Sequence, residues 1–510
     1  MGAFPVVFLF AANIREQITL EPLLAPVGLA VVGAGAVLVA TTGTLRLRGL
    51  SEARSALVTT LLVSLFFSYG HVWQAVDEVL RVHRYLLAAW AVIGLIGIAI
   101  AVRARTTHVQ AATGALNFAA IVLVGINLVP IIQFQLALGT SEAIAVEPQA
   151  VSEGTDGPRR DVWYIVFDRY AGEDALSEVY DHDNRPFLDE LERRGFQVAE
   201  HSTANYLKTA LSLVSTLNMD YLDADALSVA AATPDDWSPV YRALQGSHAV
   251  EGFLQGLGYS YQHLGVRRGA TYTNSEADRV FLFGDHTEFS AVLNETTMLV
   301  ALENVLGDEA PGGYAGLYGN HSLYQFNALE LLAKASSDTP RFIFAHFLLP
   351  HPPYAFNADG TWVTPEQAAE RDEPEEYLQQ LEFTNTRILK LLDTLLERSG
   401  EESPIVLIQS DEGPFPTRYA RDEEGFAWTD ATDAELLQKF SILAAYRVPG
   451  VAPADLGLYP GITPVNSFRV LFNAAFGTDL PLLSDRNLAF VDQRHIYEMI
   501  DVTDRLAQLR

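Results

Sequence analysis

The chain has 510 residues with 34 basic and 63 acidic side chains, no cysteine and a formal net charge of −29. The absence of cysteine excludes disulfides, thiol nucleophiles and cysteine-ligated metal sites. Residues 1–140 contain five acidic and eight basic side chains, a net charge of +3, which leaves −32 for residues 141–510. A segment of that charge repels phosphate backbones, and general nucleic-acid binding is therefore excluded.

Residues 1–140 are predicted to form a membrane domain of about five helices. A helix needs about 20 mostly apolar residues to cross the hydrocarbon core. Four apolar stretches meet or approach this length, at residues 23–42, 56–69, 85–102 and 112–138, and residues 1–13 form a shorter fifth candidate. Four long stretches joined by short loops disfavour the alternative, a buried helical bundle of a soluble protein.

The arginines of the loops predict the orientation of this domain. The loops after the second and fourth stretches hold five arginines, whereas the opposite loops hold three. Because basic loops stay in the cytoplasm, the N-terminus is expected inside and, after five spans, the C-terminal domain outside. Residues 141–160 are polar, contain two prolines and two glycines, and are interpreted as a linker.

Residues 161–510 are predicted to form an α/β domain. Short apolar runs rich in β-branched and aromatic residues predict buried strands at residues 161–168, 341–349, 404–410 and 440–446. Helical spacing predicts helices at residues 186–194, 377–398 and 467–476. This alternation is typical of a mostly parallel sheet with helices on both faces, whose ligand site lies beyond the carboxyl ends of the strands.

Three carboxylates fall at such strand ends. Asp168 ends the first predicted strand, and Asp411 and Glu412 follow the third. Oxygen ligands of this kind suit a hard divalent cation such as Mg²⁺ or Mn²⁺. Taken singly, each carboxylate is equally well explained as a turn or cap residue of a very acidic domain.

A hydroxyl and two histidines are further candidates. Thr209 stands where a loop gives way to a predicted helix, a place that suits an oxyanion and, beside a metal, an alkoxide nucleophile; a plain N-cap threonine is the alternative. His346 and His351 lie in FAHFLLPHPPY, where each could ligate a metal, donate to a phosphate or serve as a general acid; a structural role is the alternative. His321 is a weaker candidate, and Arg418 could neutralise a phosphate or simply lie on the surface.

In this order, the segments YIVFD, KTALSLVSTLNM, FAHFLLPHPPY and VLIQSDEGP resemble the alkaline phosphatase/sulfatase superfamily. The closest likeness is to its membrane-anchored phosphotransferases, which include lipoteichoic acid synthase and the lipid A phosphoethanolamine transferases. The resemblance runs from Asp161 to near the C-terminus. It implies Asp168 as the first metal ligand, Thr209 as nucleophile and ligand, and Asp411 with Glu412 as the late ligand pair. It also implies that His351 contacts the substrate and that one or two divalent ions (Mn, Mg or Zn) are bound.

The sequence departs from the family pattern at two positions. The late pair, usually Asp-His-Gly, is here Asp411-Glu412-Gly413, which adds a negative charge and favours a harder metal than Zn²⁺. The residue after the first ligand, often glycine, is Arg169, which either binds the anionic substrate or fills space. The cysteine-based or serine-based nucleophile motif of the sulfatase branch is absent around Thr209.

Three functions remain open from the sequence. The first is a metal-dependent phosphotransferase or phosphodiesterase at the outer face of the cell membrane, with a covalent phospho-Thr209. Its substrate would be a membrane lipid or a phosphorylated envelope glycan. The second is an inactive, sulfatase-like binding protein of the cell envelope, for which Glu412 is the main support. The third is a hydrolase of soluble phosphate or sulfate esters.

Overall fold

The structure is a computed structural model of the chain, and it divides into two units. It describes residues 2–12, 14, 20–80, 83–140, 160–267, 269–283, 288–301, 313–397 and 403–509. The first unit contains residues 1–141 together with residues 285–317, and the second contains the remainder. The predicted linker, residues 141–160, lies outside the described residues apart from Arg160.

The first unit contains five apolar helices near the N-terminus: α1 (Ala3–Ala12), α2 (Glu21–Arg46), α3 (Glu52–Leu80), α4 (His83–Arg103) and α5 (Thr106–Thr140). Helices α2 to α5 are long and apolar enough to cross a membrane, as the sequence predicts. By contrast, α1 has ten residues. At 1.5 Å per residue it covers about half of a hydrocarbon core.

A segment from the middle of the chain packs on these helices. It contains α12 (Glu288–Thr296), and the amide of Met298, just beyond it, donates to the carbonyl of Phe66 in α3. Gly70 permits this approach, since a side chain there would collide with the backbone of Glu295 and Thr296. Together α2, α3, α4 and this segment line an apolar cavity of about 1070 Å³. None of the residues that line this cavity is titratable.

The second unit is built on a seven-stranded sheet, in the order β2-β7-β6-β1-β5-β3-β4. The strands are β1 (Val162–Phe167), β2 (Gln197–Val198), β3 (Ser260–Leu264), β4 (Arg279–Val280), β5 (Arg341–Phe347), β6 (Ile405–Gln409) and β7 (Ala444–Arg447). Strands β6, β1, β5, β3 and β4 pair in parallel, whereas β7 and β2 pair antiparallel. The predicted α/β fold with a mostly parallel sheet is therefore confirmed. A hairpin of β8 (Leu488–Phe490) and β9 (Met499–Asp501) lies apart from this sheet.

Burial explains why the central strands read as continuous apolar runs. Every residue of β1, β5 and β6 is buried, as in a parallel sheet with both faces covered. The helices of this unit that precede α12 are α6 (Glu173–Tyr180), α7 (Arg185–Arg193), α8 (Thr209–Asn218), α9 (Ala224–Ala230), α10 (Ser238–Gln245) and α11 (Ala249–Gly256). The next helix, α13 (Gly313–Lys334), begins in the first unit and continues into the second. The remaining helices of the second unit are α14 (Pro365–Glu370), α15 (Glu373–Leu396), α16 (Thr417–Arg421), α17 (Asp433–Phe440), α18 (Pro464–Phe476) and α19 (Thr503–Ala507).

Candidate metal centre

Three neighbouring strands bring three potential metal ligands together. Asp168 directly follows β1, His346 is the next-to-last residue of β5, and Asp411 follows β6 by two positions. Since β1 lies between β5 and β6 and pairs in parallel with both, their carboxyl ends meet at one edge of the sheet. One ligand atom from each of the three side chains lies within 4.8 Å of the others, and all three are buried.

The atoms that face one another in this cluster lack protein partners. His346 Nε2 lies 4.0 Å from Asp168 Oδ2 and 3.8 Å from Asp411 Oδ2. Within the described part of the chain, His346 Nε2, Asp168 Oδ1 and Asp411 Oδ2 are buried without hydrogen bonds. The other ring nitrogen, Nδ1, is 2.8 Å from the Thr271 hydroxyl, and this contact orients the ring. When Nδ1 carries the proton, Nε2 presents its lone pair to the carboxylates.

Burial and mutual repulsion make this cluster unfavourable for the bare side chains. Burial first, and then the charges of Asp411 and Glu412, raise the pKa of Asp168 well above its usual range. Burial also raises the pKa of Asp411, although a hydrogen bond from the Thr209 hydroxyl opposes that shift. The pKa of His346 is lowered by burial to about 3, which keeps the imidazole neutral as a metal ligand requires.

A divalent cation fits this donor set. Buried polar atoms without partners are rare in folded proteins and call for an explanation. Two carboxylates and a neutral imidazole that converge with unpaired atoms would supply the charge and lone pairs that Mn²⁺, Mg²⁺ or Zn²⁺ accept. Asp168, His346 and Asp411 would hold the ion, which would act as a Lewis acid and stabilise negative charge on a phosphoryl oxygen.

Thr209 is the first residue of α8 and is only partly buried, whereas the rest of the helix is buried. Its hydroxyl lies close enough to Asp411 to oppose the rise in the pKa of that carboxyl, which places it beside the cluster. As the first residue of the helix it also stands near free backbone N–H groups, where negative charge is stabilised. The sequence prediction that Thr209 begins a helix is therefore confirmed.

Glu412 contacts two cationic side chains, whereas the sequence suggests that it is a metal ligand. Its Oε1 atom lies 3.0 Å from Nζ of Lys439 and 3.5 Å from Nε of Arg169. Its Oε2 atom is buried without a hydrogen bond, but Glu412 is not part of the group formed by Asp168, His346 and Asp411. His346, for which the sequence leaves metal ligation, phosphate binding and general-acid catalysis open, stands among the potential ligands.

Lys439 is fully buried at the C-terminal end of α17 and was missed by the sequence analysis. Its ammonium donates to the carbonyl of Gly413 at 2.8 Å and lies 3.4 Å from the ring centre of Phe415. Gly413 is required at this turn, since a Cβ would collide with the carbonyl oxygen of Gln438. One lysine among many surface charges carries no local signal, because only the packing of α17 against the strand ends buries it.

Three cationic side chains lie against the ring of Phe415. In addition to Lys439, the Lys208 ammonium and the Arg169 guanidinium each lie 4.4 Å from its ring centre. Lys208 immediately precedes Thr209 and also pairs with Glu423 at 3.1 Å. Arg169 and Lys208 are partly exposed beside a hydroxyl and a metal-ligand group, a combination suited to an anionic, phosphate-like substrate.

Arg169 adopts a backbone conformation that favours glycine. Its φ is +61°, in the left-handed region, which accounts for glycine being common at this position in the family. The carbonyl of Arg169 accepts a hydrogen bond from the Tyr377 hydroxyl at 3.0 Å, and this contact helps to hold the turn. The turn directs the guanidinium toward Glu412 and Phe415.

The remaining sequence candidates fall in three places. The amide of His351 donates to the carbonyl of Asp168 at 3.2 Å, and its Nδ1 contacts the carbonyl of Pro352. His351 is therefore next to the cluster. Arg418 is exposed and pairs with Glu435 at 2.8 Å, so the structure does not bring it to the cluster. His321 is buried and lies 3.2 Å from the carbonyl of Gly265, outside the potential ligand group.

Residues 160–448 match the family model described as Sulfatase, which is more than half of the chain. The chain belongs to the sulfatase family. The resemblance to the alkaline phosphatase/sulfatase superfamily is thus confirmed, and the chain is an enzyme of that superfamily, a transferase or a hydrolase. No curated protein matches the sequence.

Solved structures of sulfatase-like proteins are similar to this chain at low identity. The C-terminal periplasmic domain of EptC from Escherichia coli shares 12% identity with a TM-score of 0.42, over 68% of this chain and 94% of that one. The integral membrane lipooligosaccharide phosphoethanolamine transferase A from Neisseria meningitidis shares 14% with a TM-score of 0.41, over 92% and 86%. The phosphonate monoester hydrolase of Agrobacterium radiobacter shares 11% with a TM-score of 0.39, over 64% and 79%.

Proposed function

We propose that this sulfatase-family enzyme is a metal-dependent phosphotransferase or phosphodiesterase at the outer face of the cell membrane. Thr209 would be its nucleophile, and the substrate would be a phospholipid or a phosphorylated envelope component. The observation that supports this most directly is the position of the Thr209 hydroxyl beside Asp411, one of three buried potential ligands with unpaired atoms. The four long apolar helices favour a substrate that resides in the membrane.

The first half-reaction forms a bond between Thr209 Oγ1 and phosphorus and breaks the bond to the leaving alcohol. The hydroxyl proton passes to the nearby Asp411 carboxylate. The leaving oxygen takes its proton from water. Arg169 and Lys208 lie beside Phe415 and would hold the negative phosphoryl oxygens.

The second half-reaction reverses these roles. An acceptor hydroxyl or water attacks phosphorus, the bond to Thr209 breaks, and the proton held by Asp411 returns to Thr209. Because His351 Nδ1 faces the carbonyl of Pro352, that nitrogen carries a proton and Nε2 is left as an acceptor. His351 Nε2 would then take the proton of the acceptor hydroxyl and pass it to the hydroxide that remained when water protonated the leaving oxygen.

The experiment that tests the proposal uses full-length protein in detergent with Mn²⁺ and bis(4-nitrophenyl) phosphate. We expect release of nitrophenolate and, by intact-protein mass spectrometry, a nitrophenyl phosphate adduct on wild-type protein. Thr209→Ala should lose both signals while its thermal unfolding temperature is kept, and Thr209→Ser should retain part of each. Equal turnover in Thr209→Ala would refute the nucleophile. Transfer to an added alcohol would identify a transferase, and transfer to water alone a phosphodiesterase.

A further inference from the structure

Glu423 lies beside the lysine that precedes the proposed nucleophile. Its Oε1 atom is 3.1 Å from Nζ of Lys208. The same oxygen accepts hydrogen bonds from the Tyr419 hydroxyl at 2.6 Å and from the side-chain amide of Gln493. Glu423 stands two positions after the end of α16, and donors from three separate segments converge on its carboxylate. Its negative charge is therefore held at a defined place beside Lys208.

The ammonium of Lys208 is also held by contacts that do not involve Glu423. It lies 4.4 Å from the ring centre of Phe415 and 5.3 Å from that of Tyr419, and these two rings stack with their centres 4.3 Å apart. A cation is attracted to the face of an aromatic ring. Loss of the Glu423 charge is therefore expected to leave the ammonium beside Thr209.

The pair is open to a substrate. The side chain of Lys208 is 23% exposed and that of Glu423 is 51% exposed. Although burial acts to raise it, Lys208 and the Tyr419 hydroxyl lower the pKa of Glu423, so the carboxylate is charged at neutral pH. A phosphoryl group that binds at Lys208 therefore comes close to a fixed negative charge.

The charges around Lys208 suit one negative charge better than two. Glu423 cancels the charge of Lys208, and the Arg169 guanidinium is itself 3.5 Å from Glu412. A phosphodiester carries one negative charge, whereas a phosphomonoester carries nearly two at neutral pH. The ammonium can still donate to a phosphoryl oxygen of either ester, but the additional charge of the monoester would be repelled by Glu423 a few ångströms away. Repulsion of this kind is a way to reject the wrong substrate.

We propose that Glu423 is a specificity-determining residue whose charge makes the site select phosphodiesters over phosphomonoesters. The inference rests on the proposed phosphotransferase or phosphodiesterase function and narrows its substrate class to esters with a singly charged phosphoryl group. Selection by repulsion differs from a general role in binding. It predicts that loss of the carboxylate improves the turnover of one ester, whereas loss of a binding contact would weaken both.

The test compares kcat/KM for bis(4-nitrophenyl) phosphate and 4-nitrophenyl phosphate, using the full chain in detergent with Mn²⁺ at one pH and ionic strength. Both esters release nitrophenolate, so one assay measures both. Wild-type protein should prefer the diester. Glu423→Gln should lower the ratio of diester to monoester kcat/KM by about fivefold or more, mainly through a lower KM for the monoester. Glu424→Gln is the matched control, since this neighbour is 75% exposed and pairs with Arg494 at 3.3 Å; it should keep the wild-type ratio.

Salt provides a second measurement that needs no change of fold. Because ions screen partly exposed charges, added KCl should lower the wild-type ratio and should change the ratio of Glu423→Gln less. A wild-type preference for the monoester, an unchanged ratio in folded Glu423→Gln, or a loss of diester turnover in that variant would each overturn the inference. These results would leave the proposed function standing as long as wild-type protein turns over the diester. No turnover of either ester by wild type would overturn the proposed function and the inference together.

Discussion

His346 Nε2 lies 3.8 Å from Asp411 Oδ2, and neither atom has a hydrogen-bond partner among the described residues. The two side chains come from strands on opposite sides of β1. A histidine therefore stands beside the late aspartate although the local sequence places a glutamate there. The potential ligand group keeps an imidazole in a chain that has lost the usual Asp-His pair.

We expect His346→Gln and Asp411→Asn each to weaken Mn²⁺ binding at least tenfold, because each removes one of three converging ligand atoms. A ligand that binds only the folded state raises stability by about 2.7 kcal/mol at one hundred times its dissociation constant. Thermal unfolding with Mn²⁺ and with EDTA should therefore differ for wild type and hardly differ for the two variants. His495→Gln changes a histidine that pairs with Asp492 near the surface and is the control. Full Mn²⁺ stabilisation of His346→Gln would contradict its role as a ligand.

The backbone conformation of Arg169 is expected to destabilise the fold, whereas its side chain is expected to help bind the substrate. At a φ of +61° a residue with a side chain is destabilised by about 1 kcal/mol relative to glycine. Arg169→Gly and Arg169→Ala lose the same contacts with Glu412 and Phe415. Chemical denaturation should therefore find the glycine variant about 1 kcal/mol more stable than the alanine variant. Both should raise KM for bis(4-nitrophenyl) phosphate. Equal stabilities would mean that the turn relaxes when the arginine is removed.

Acid should destabilise the second unit through His263. This buried residue of β3 contacts the Tyr261 hydroxyl at Nδ1 and the carbonyl of Thr271 at Nε2, each at 2.8 Å. Burial lowers its pKa to about 4, and the nearby His248 and His346 act in the same direction. The folded state therefore binds the proton less tightly than the unfolded state. The contribution of His263 to the free energy of unfolding is fully present above pH 6.5 and is lost as the pH falls toward 4. The loss is about 3 kcal/mol for one such group.

Thermal unfolding between pH 7.5 and 4.5 measures this dependence. His263→Gln should reduce the loss of stability over that range, because glutamine does not titrate. His201→Gln is the control, since this histidine is well exposed and pairs with Asp174 at 3.0 Å. An unchanged pH profile in His263→Gln would assign the acid sensitivity to other groups.

Cysteine labelling can decide on which side of the membrane the α/β unit lies. The chain has no cysteine, so each introduced one is unique. Val229 in α9 is 88% exposed and Leu47, next to the arginines after α2, is 90% exposed. In spheroplasts an impermeant maleimide should label Val229→Cys, whereas Leu47→Cys should react only after lysis. The reverse pattern would place the α/β unit in the cytoplasm and would contradict a count of five spans.

The sequence by itself predicted the long apolar helices, the central strands and the positions of several candidate site residues. Apolar length predicted the four long helices, and apolar runs with β-branched residues predicted β1, β5 and β6, because those signals are local. The rule that ligands gather at carboxyl ends of parallel strands placed Asp168 and Asp411 correctly at one edge of the sheet. Thr209 was predicted at a helix start because the loop and the helical spacing that follow each other there are also local features.

Only the tertiary structure decided how those residues pair. Strand order brings His346 to the same sheet edge as the two aspartates, and the packing of α17 buries Lys439 against Glu412. Neither contact has a local pattern, since each joins segments that are distant in the chain and depends on which elements become neighbours. Arg418 follows the carboxylates closely in sequence but turns outward on α16 to Glu435. Local sequence patterns therefore predicted the strand ends, whereas burial and charge pairing in three dimensions decide which side chains lie together there.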